Sequence, residues 1–531
     1  MSALESQVQA SAPAVPVPGS LDLVVARTGL DARRFAFISL CLAFLSMGLV
    51  GYTDLDYWWH LSTGQYIFET QSIPQTDPFS FTAAGKDWVA HEWLSELAIY
   101  VVQAIGGYAA NVAVFTAAGL TALVVGYRTV LSFGVSRRLG VGLFFWAGLL
   151  FAGFWTVRPQ LFTFALFSVF LAVLFAHRRG KNRLWLLPPL MVLWANLHLG
   201  FTYGLALVGL YAVATTFERV RWSEARDLKA IYLTLAGCVL ATFLTPYPGE
   251  LLLYPLGYFE SGTATSQIAE WRSPDFHQPF MIPLAISILT FAAIGLFKRP
   301  HDAFVPLLGL VFTFLALSSV RNQPLFALVF IVVIAALREG ESLREAGVTP
   351  LRRMRLHLAG LVLVAAALTI VFLMRPQYSQ LRETANLDGL IKYPVAGADF
   401  IRERYPDARL FNEYAWGGFL IHRLYPQKVF IDGRNDFYGP TIMSDYRKVV
   451  GGRPEWQSIL DKYGVDVAIV LKDSALAQLL RESDEVWRLE FTGEREAVFV
   501  RSGRSLRDDA GRCMWPGEGS SFVSSGCPNG G

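Results

Sequence analysis

Long apolar runs recur along this chain, and they restrict its possible folds more than any other feature of the sequence. A run of roughly 17–25 apolar residues is long enough to cross a bilayer as a helix. About eleven runs qualify, near residues 35–51, 108–130, 139–155, 159–177, 184–198, 200–217, 229–245, 280–297, 303–319, 323–337 and 357–374. We therefore expect an α-helical polytopic membrane protein with about eleven transmembrane helices.

The composition agrees with a membrane-embedded chain. Charged residues make up 17% of the 531 residues, against about 25% in a typical soluble domain. The apolar runs predict the lipid bilayer as a partner. The net charge of +3 is small, so the sequence does not predict binding to nucleic acid. The segment 94–107 is amphipathic and short, and we expect it to lie along the membrane surface rather than to cross it.

The distribution of lysine and arginine predicts the orientation in the membrane, because these residues accumulate in cytoplasmic loops. Every second loop is basic or densely charged, at residues 33–34, 137–138, 177–183, 218–229, 298–299 and 338–355. We therefore expect a multi-pass protein of the bacterial inner membrane with a cytoplasmic N-terminus. Two large loops, 52–107 and 246–279, and all residues after 374 are expected outside the cytoplasm.

These boundaries divide the chain into four parts. We expect a disordered cytoplasmic N-terminus at 1–32, a transmembrane domain at 33–374, an extracytoplasmic α/β domain at 375–503 and a disordered tail at 504–531. In the α/β domain, short strands near 409–411, 428–432, 465–471 and 497–501 alternate with helices near 395–403, 457–463 and 474–482. Cys513 and Cys527 lie in the tail, where an oxidising compartment would permit a disulfide.

Ionisable side chains are concentrated on the predicted outer face. The first apolar run is followed by TDLDYWWHL at 53–61, in which Asp54 and Asp56 precede two tryptophans and His60. Charged groups at a membrane boundary need partners or water, so they are candidates for function. The other candidates on this face are His91, Glu92, Arg158, His198, Glu270, Arg272, Arg321 and Asn322. Together they predict a polar cavity that opens outward.

Each of these residues also has an explanation that involves no catalysis. The aspartates and tryptophans equally fit a solvated helix end with aromatic membrane anchors. Arg158 and Arg321 could extend to lipid headgroups, and His198 could be a hydrogen-bonded packing residue. The convergence of carboxylates, imidazoles and guanidiniums on one face is what favours a functional site.

A cavity of this composition suits transfer from a lipid-anchored donor that carries a phosphate or diphosphate. A carboxylate within hydrogen-bond reach of an acceptor hydroxyl acts as a general base. Arginines match the geometry of a leaving phosphate, a role that we assign to Arg158, Arg272 and Arg321. The acid pair at Asp54 and Asp56 could alternatively hold a divalent metal, although the Asp-x-Asp spacing alone is weak evidence for one.

Several of these motifs resemble those of bacterial membrane glycosyltransferases of the GT-C superfamily. In particular, the chain resembles the largely uncharacterised multi-span group with D-x-D-x-W-W-H-L and H-E-W-L motifs in the first external loop. The resemblance rests on Asp54–Leu61, Pro74–Thr82, Trp88–Leu94, Asn196–Phe201, Glu270–Pro274, Arg321–Asn322, Phe411–Phe419 and Phe430–Arg434. It implies a GT-C-like fold over most of residues 35–500.

The resemblance also implies an activity and a set of site residues. It places the catalytic acid at Asp54 or Asp56 and completes the site with His91 and Glu92. It implies a polyprenyl-phosphate-linked sugar as donor, used on the extracytoplasmic face by an inverting mechanism. The sugar and the acceptor, whether glycan, lipid or protein, stay open.

The remaining predicted substrate contacts lie in the C-terminal domain. We expect Asp432 and Arg434 to recognise the acceptor or the sugar. Gly433, which lies between them, also fits an ordinary turn, and the same is true of the pair Gly417–Gly418.

Two other classes of function fit a polytopic chain. A lipid or polysaccharide transporter or flippase would line a path through the membrane with ionisable residues, yet the centres of the predicted spans are nearly free of acids. A non-catalytic assembly factor for surface polysaccharide would use the C-terminal domain alone. Such a factor would tolerate an acid-to-amide change at Asp54 or Asp56.

Overall fold

The computed structural model describes residues 32–49, 54–224, 227–254, 269–294, 301–339, 393–503, 506–507 and 513–514. The predicted span at 357–374, Cys527 and most of the two predicted disordered ends lie outside these residues. The described chain forms a helical part and a C-terminal part that contains a sheet.

The helical part follows the apolar runs of the sequence. Its helices are α1 (Ala32–Leu49), α2 (Tyr57–Thr70), α3 (Trp93–Leu131), α4 (Arg137–Phe151), α5 (Gln160–Arg178), α6 (Leu187–Leu197), α7 (Phe201–Trp222), α8 (Leu228–Ala241), α9 (Ile282–Ile294), α10 (Phe304–Ser318) and α11 (Gln323–Leu337). Among the described residues, five helical segments are long and apolar enough to cross a membrane: Trp93–Leu131, Arg137–Phe154, Gln160–Arg178, Phe201–Trp222 and Val320–Leu337. Shorter apolar helices occupy other predicted runs, at Ala36–Leu45, Leu184–Leu197, Leu228–Ala241, Pro279–Ile294 and Phe304–Ser318.

Helix α3 contains a sharp break where the sequence predicts a change from a surface segment to a spanning segment. Gly106 and Gly107 leave helical geometry, and Gly107 has a φ of 65° and a ψ of −167°. Residues with a side chain rarely adopt a positive φ, so glycine allows this turn. The segment 94–107 is thereby separated from the apolar remainder of α3, as predicted.

Helix α11 lies at the centre of the helical part. Its residues from Gln323 to Ala336 are all buried, and it packs against α3, α4 and α10. A helix that is apolar on every side is stable when other helices surround it. Neighbouring helices expose large apolar side chains such as Leu289 and Phe314 on the outside, which suits contact with lipid.

The C-terminal part is a small α/β domain, as predicted. Its elements are α12 (Val395–Arg404), β1 (Leu410–Asn412), α13 (Gly417–Leu424), α14 (Asn435–Val450), α15 (Trp456–Lys462), β2 (Val467–Leu471), α16 (Ala475–Glu482), β3 (Trp487–Thr492) and β4 (Glu496–Arg501). The strand order is β1-β2-β4-β3, with β1 and β2 parallel and the other neighbours antiparallel. The central strands β2 and β4 are almost entirely buried.

The predicted strand at 428–432 is wrong in one respect. The segment is extended, but it forms only isolated bridges through Val429. The reason is Asn412, whose side-chain oxygen accepts hydrogen bonds from the amides of Phe430 and Ile431 at 2.9 and 3.4 Å. These bonds replace the backbone pairs of a regular strand. Strand β3, which the sequence pattern did not indicate, forms the opposite edge of the sheet, beside β4.

The first external loop is joined to the C-terminal domain by hydrogen bonds. The Val429 amide donates to the Phe79 carbonyl at 3.0 Å, and the Phe81 amide donates to the Val429 carbonyl at 3.1 Å. The Thr82 hydroxyl donates to the Phe430 carbonyl at 2.6 Å. Loop residues therefore pair with the domain in a defined register, and this contact positions the site described next.

Candidate active site

Three carboxylates surround the guanidinium of Arg158. Its Nε lies 3.3 Å from Asp54 Oδ1 and its Nη1 lies 2.7 Å from Glu270 Oε1, while Nη2 contacts Asp56 Oδ2. We call these four residues the Arg158 cluster. Residues from three separate segments of the predicted outer face therefore meet at one point.

The carboxylates of this cluster differ in their surroundings. Burial raises the pKa of Asp54 to about 6, with Arg158 lowering it and Asp56 raising it further. Although burial opposes its charge, the three carboxylates hold the pKa of Arg158 well above its usual value. The Asp56 side chain is 17% exposed and that of Asp54 is 7% exposed. Asp56 is therefore the aspartate that a substrate reaches more readily.

A second group of ionisable residues lies next to the first. Glu92 Oε1 lies 3.2 Å from His198 Nε2 and 3.9 Å from His91 Nε2, and Glu92 Oε2 lies 3.6 Å from His60 Nε2. The other nitrogen of His60 lies 3.2 Å from Glu96 Oε1. We call these five residues the Glu92 cluster. Burial raises the pKa of Glu92 and lowers that of His60 well below its usual value.

The start of α2 connects the two clusters. The Asp56 amide donates to Asp54 Oδ1 at 3.0 Å, so the Asp-x-Asp spacing forms a local turn. The Trp59 indole donates to Asp56 Oδ1 at 3.1 Å, which leaves the other Asp56 oxygen for Arg158. The Trp59 ring also contacts the His60 ring in a tilted arrangement, with a centroid distance of 3.7 Å. Trp59 therefore contacts a residue of each cluster.

Hydrogen bonds determine the protonation of His198. The Gly200 amide donates to His198 Nδ1 at 2.8 Å, so the proton of the neutral ring is on Nε2 and is donated to Glu92. Burial, together with the charge of Arg321, lowers the pKa of His198 well below its usual value. A side-chain carbon at Gly200 would lie 2.3 Å from Thr163 Oγ1 and 2.8 Å from His198 Nδ1. Glycine is therefore required at this position.

The motifs around Glu92 and His198 bind each other. The Trp93 indole donates to Asn196 Oδ1 at 3.0 Å, and the Ser95 hydroxyl donates to the carbonyl of the residue after Asn196 at 2.6 Å. These contacts hold the start of α3 against the C-terminal end of α6. The two sequence motifs are thus halves of one site.

The other predicted residues of the helical part lie in two adjacent segments. Arg272 is exposed, whereas Arg321 is half-buried with its guanidinium 5.3 Å from the ring centroid of Trp271. Asn322 is buried, and its side-chain oxygen accepts a hydrogen bond from the Tyr203 hydroxyl at 2.6 Å. Asn322 therefore links α7 to the start of α11.

Asp432 and Arg434 are buried where the C-terminal domain meets the first loop. Arg434 Nη1 donates to Asp77 Oδ1 at 2.9 Å, and Nη2 donates to Asp432 Oδ2 at 2.6 Å. The Tyr438 hydroxyl donates to the same Asp432 oxygen at 2.5 Å. The Arg434 guanidinium lies 4.5 Å from the Trp88 ring centroid. These contacts support a role in joining loop and domain, and the substrate contact expected from the sequence stays a prediction.

The glycines of the C-terminal motifs lie against the start of α2. A side-chain carbon at Gly433 would lie 2.4 Å from Asp56 Oδ1 and 3.1 Å from Trp59 Nε1. One at Gly418 would lie 3.1 Å from the Leu55 carbonyl oxygen. The domain therefore covers Asp56 with backbone, and the absence of a side chain at Gly433 leaves room for the carboxylate.

Sequence reasoning missed Glu96 and Trp59 as members of the site. Glu96 follows Glu92 by one helical turn, and this spacing of two acids on one helix face was the available signal. Trp59 fits a membrane anchor in the sequence, and only its contacts with Asp56 and His60 show what it connects.

Solved structures with a similar fold include an archaeal and a bacterial enzyme. An oligosaccharyltransferase from Archaeoglobus fulgidus tethered to an acceptor peptide has 10% identity and a TM-score of 0.55, covering 93% of this chain and 74% of that chain. AglB from the same organism, in complex with an inhibitory peptide and a dolichol-phosphate, has 10% identity and a TM-score of 0.56, covering 92% and 74%. ArnT from Cupriavidus metallidurans in the apo state has 14% identity and a TM-score of 0.50, covering 87% and 97%.

The likeness is one of structure and not of sequence. No protein-family model and no curated protein sequence matches this chain. The helical part and the sheet-containing C-terminal part nevertheless align together with the solved structures over most of the chain. The chain therefore shares the fold of these solved structures, which confirms the GT-C-like fold that the sequence motifs implied.

Proposed function

We propose that this chain is a membrane glycosyltransferase that transfers a sugar from a polyprenyl-phosphate-linked donor to an acceptor of the cell envelope. The Arg158 cluster is the observation that carries the proposal, since it joins two first-loop aspartates to an arginine and a further acid. The fold supports it, because oligosaccharyltransferase structures with this fold hold an acceptor peptide or a dolichol-phosphate.

Asp56 is the general base in this proposal, because it is the more exposed of the two aspartates. Its carboxylate accepts the proton of the acceptor hydroxyl, and the hydroxyl oxygen attacks the anomeric carbon of the sugar. The bond from that carbon to the phosphate oxygen breaks, and the lipid phosphate leaves with the bonding electrons. A single displacement of this kind inverts the configuration at the anomeric carbon.

The arginines act on the leaving phosphate. Arg158 holds the carboxylates in place and, with Arg272 and Arg321, neutralises the charge that develops on the phosphate. Arg321 is half-buried, and a partly desolvated guanidinium interacts more strongly with an anion than an exposed one does. His91 and Glu92 complete the site from the side of the Glu92 cluster.

Replacement of Asp56 by Asn tests the proposal. Complementation of a deletion strain, with surface glycans compared by mass spectrometry, first identifies the product. Transfer to that acceptor by purified Asp56→Asn protein should then be slower by about 10²–10⁴-fold, the usual contribution of one positioned base.

The exposed Asp473 of the C-terminal domain offers a matched control. Asp473→Asn makes the same chemical change away from the cluster and should retain the wild-type rate. Near-wild-type rates in both Asp56→Asn and Asp54→Asn would contradict the catalytic assignment and favour the non-catalytic assembly factor.

A further inference from the structure

We propose that His60, Glu92 and Glu96 bind a divalent transition-metal ion at a site separate from the Arg158 cluster. Each of the three offers one ligand atom, and these atoms lie within 4.8 Å of one another. A tetrahedral site with bonds of about 2.1 Å places its ligands about 3.4 Å apart. Small rotations of the three side chains are enough to close the site around an ion.

The Glu96 carboxylate is the clearest sign of a ligand. Its side chain is 1% exposed, and its Oε2 atom is buried without a hydrogen-bond partner among the described residues. A buried carboxyl oxygen without a hydrogen-bond partner is unfavourable. A cation bound between Glu96 and its neighbours removes this penalty.

The arrangement of the two glutamates also suits a cation. Glu92 and Glu96 are both buried, and each contacts a different nitrogen of the His60 ring. His198 donates its single ring proton to Glu92, so it orients that carboxylate without contributing charge. Metal-binding carboxylates commonly have such an outer hydrogen-bond partner.

The site is built on two helices whose backbones touch. His60 and Gly64 are one turn apart on α2, and Glu92 and Glu96 are one turn apart at the start of α3. A side-chain carbon at Gly64 would lie 2.0 Å from the Glu96 carbonyl oxygen. The close crossing holds His60 opposite the two glutamates before an ion arrives.

The ligands indicate the class of ion and its effect. Two carboxylate oxygens and one imidazole nitrogen suit borderline cations such as Zn²⁺ or Mn²⁺. Because the Trp59 ring contacts the His60 ring and its indole donates to Asp56, an ion that fixes His60 also restrains Trp59 beside Asp56. The ion has a positioning role here, and this inference does not depend on the proposed glycosyl transfer.

Metal analysis of the purified full-length protein tests the site. The protein is stripped with EDTA, reloaded with Zn²⁺ or Mn²⁺ and freed of excess ion, and the bound metal is measured by mass spectrometry. We expect about one ion per chain in the wild type and a higher unfolding temperature after loading. Glu96→Gln keeps the side-chain size but removes the charged ligand, and should retain at least about tenfold less ion with no rise in unfolding temperature.

Two further variants keep the test decisive. His60→Asn removes a second ligand and replaces Glu96→Gln if that variant does not fold. Asp56→Asn is the matched control and should bind the ion as the wild type does. The proposal is overturned if neither ion binds to or stabilises the wild type, if the ligand variants retain the ion, or if Asp56→Asn loses it. None of these measurements involves sugar transfer, so they are independent of the test of the proposed function.

Discussion

Asp54 and Asp56 are two positions apart, and at the scale of single residues the structure separates their roles. Asp54 accepts the Asp56 amide at 3.0 Å and lies 3.3 Å from Arg158 Nε. Asp56 contacts Arg158 and Trp59 and is the more exposed of the two. These contacts favour Asp54 as the residue that orients the cluster and Asp56 as the base that meets the acceptor.

The raised pKa of Asp54 predicts how activity depends on pH. On acidification through about pH 6, Asp54 becomes protonated and its ion pair with Arg158 is lost. We therefore expect the transfer rate to fall across this range, and the fall to be absent from the residual activity of Asp54→Asn. Rates measured from about pH 4 to about pH 8 in both proteins check this.

The free energy of unfolding should also depend on the pKa of Asp54, but it should change with pH in the opposite direction to the transfer rate. Because the pKa of Asp54 in the folded state is about 6, above its ordinary value of 3.8, protonation favours the folded state. Stability should therefore fall as the pH rises from about 4 to about 6, and Asp54→Asn should lack this contribution. An identical pH dependence of unfolding in wild type and variant would contradict this assignment.

At the scale of elements, the start of α2 is the place where the parts of the molecule meet. It packs against α3 at Gly64 and against α13 at Gly418. The Trp58 ring also stacks on His422 of α13 at a centroid distance of 5.1 Å. Close backbone approach on two sides explains how a short loop helix holds its carboxylates in place.

This packing predicts the effect of a single methyl group at Gly433. In Gly433→Ala the new carbon would lie 2.4 Å from Asp56 Oδ1, so the carboxylate must move away from Arg158 and Trp59. A displacement of about 1 Å at a catalytic group costs about 10²-fold in rate, and we expect a loss of this size in the transfer assay.

Gly209 in α7 provides the control for this prediction. A side-chain carbon there meets nothing within 4 Å, so Gly209→Ala should keep the wild-type rate. Equal rates in Gly433→Ala and wild type would show that the domain does not cover Asp56 as described.

At the scale of the whole molecule, the buried Arg434 joins the C-terminal domain to the first loop through Asp77. In Arg434→Met two carboxylates lose their buried partner, which costs about 3–5 kcal/mol. We expect faster hydrogen exchange at the Phe81 and Val429 amides, whose bonds cross between loop and domain. The exposed Arg453 serves as control, because Arg453→Met should leave this exchange unchanged.

The orientation in the membrane is also a property of the whole molecule. The alternation of basic loops predicts that residues after 374 lie outside the cytoplasm. A reporter enzyme that is active only in the periplasm should therefore be active when fused after Arg501. Activity of a cytoplasm-only reporter at the same position would reverse the orientation and move the site to the other face.

Much of the fold and part of the site could be predicted from the sequence. Within the described residues, the apolar runs and the helices predicted near 395–403, 457–463 and 474–482 agree with the structure, and helical geometry breaks at Gly107, between the predicted segments 94–107 and 108–130. Helices α13 and α14 were not predicted, and Gly417–Gly418, interpreted as a turn, begins α13. The predicted strand at 428–432 does not agree with the structure, because backbone amides of this segment donate to the Asn412 side chain instead of to a neighbouring strand. The motifs supplied the candidate site residues, whose roles stay predictions, but they did not show which residues touch.

The sequence by itself determined the class of the molecule, because the length of an apolar run and the alternation of strands and helices are local properties of the chain. It also predicted that the ionisable residues lie on one face of the membrane, since loop charges alternate with the spans. Only the tertiary structure decided that Arg158 binds Asp54, Asp56 and Glu270. These contacts depend on how helices pack and where backbones approach, and such distances are set by side chains far apart in the sequence.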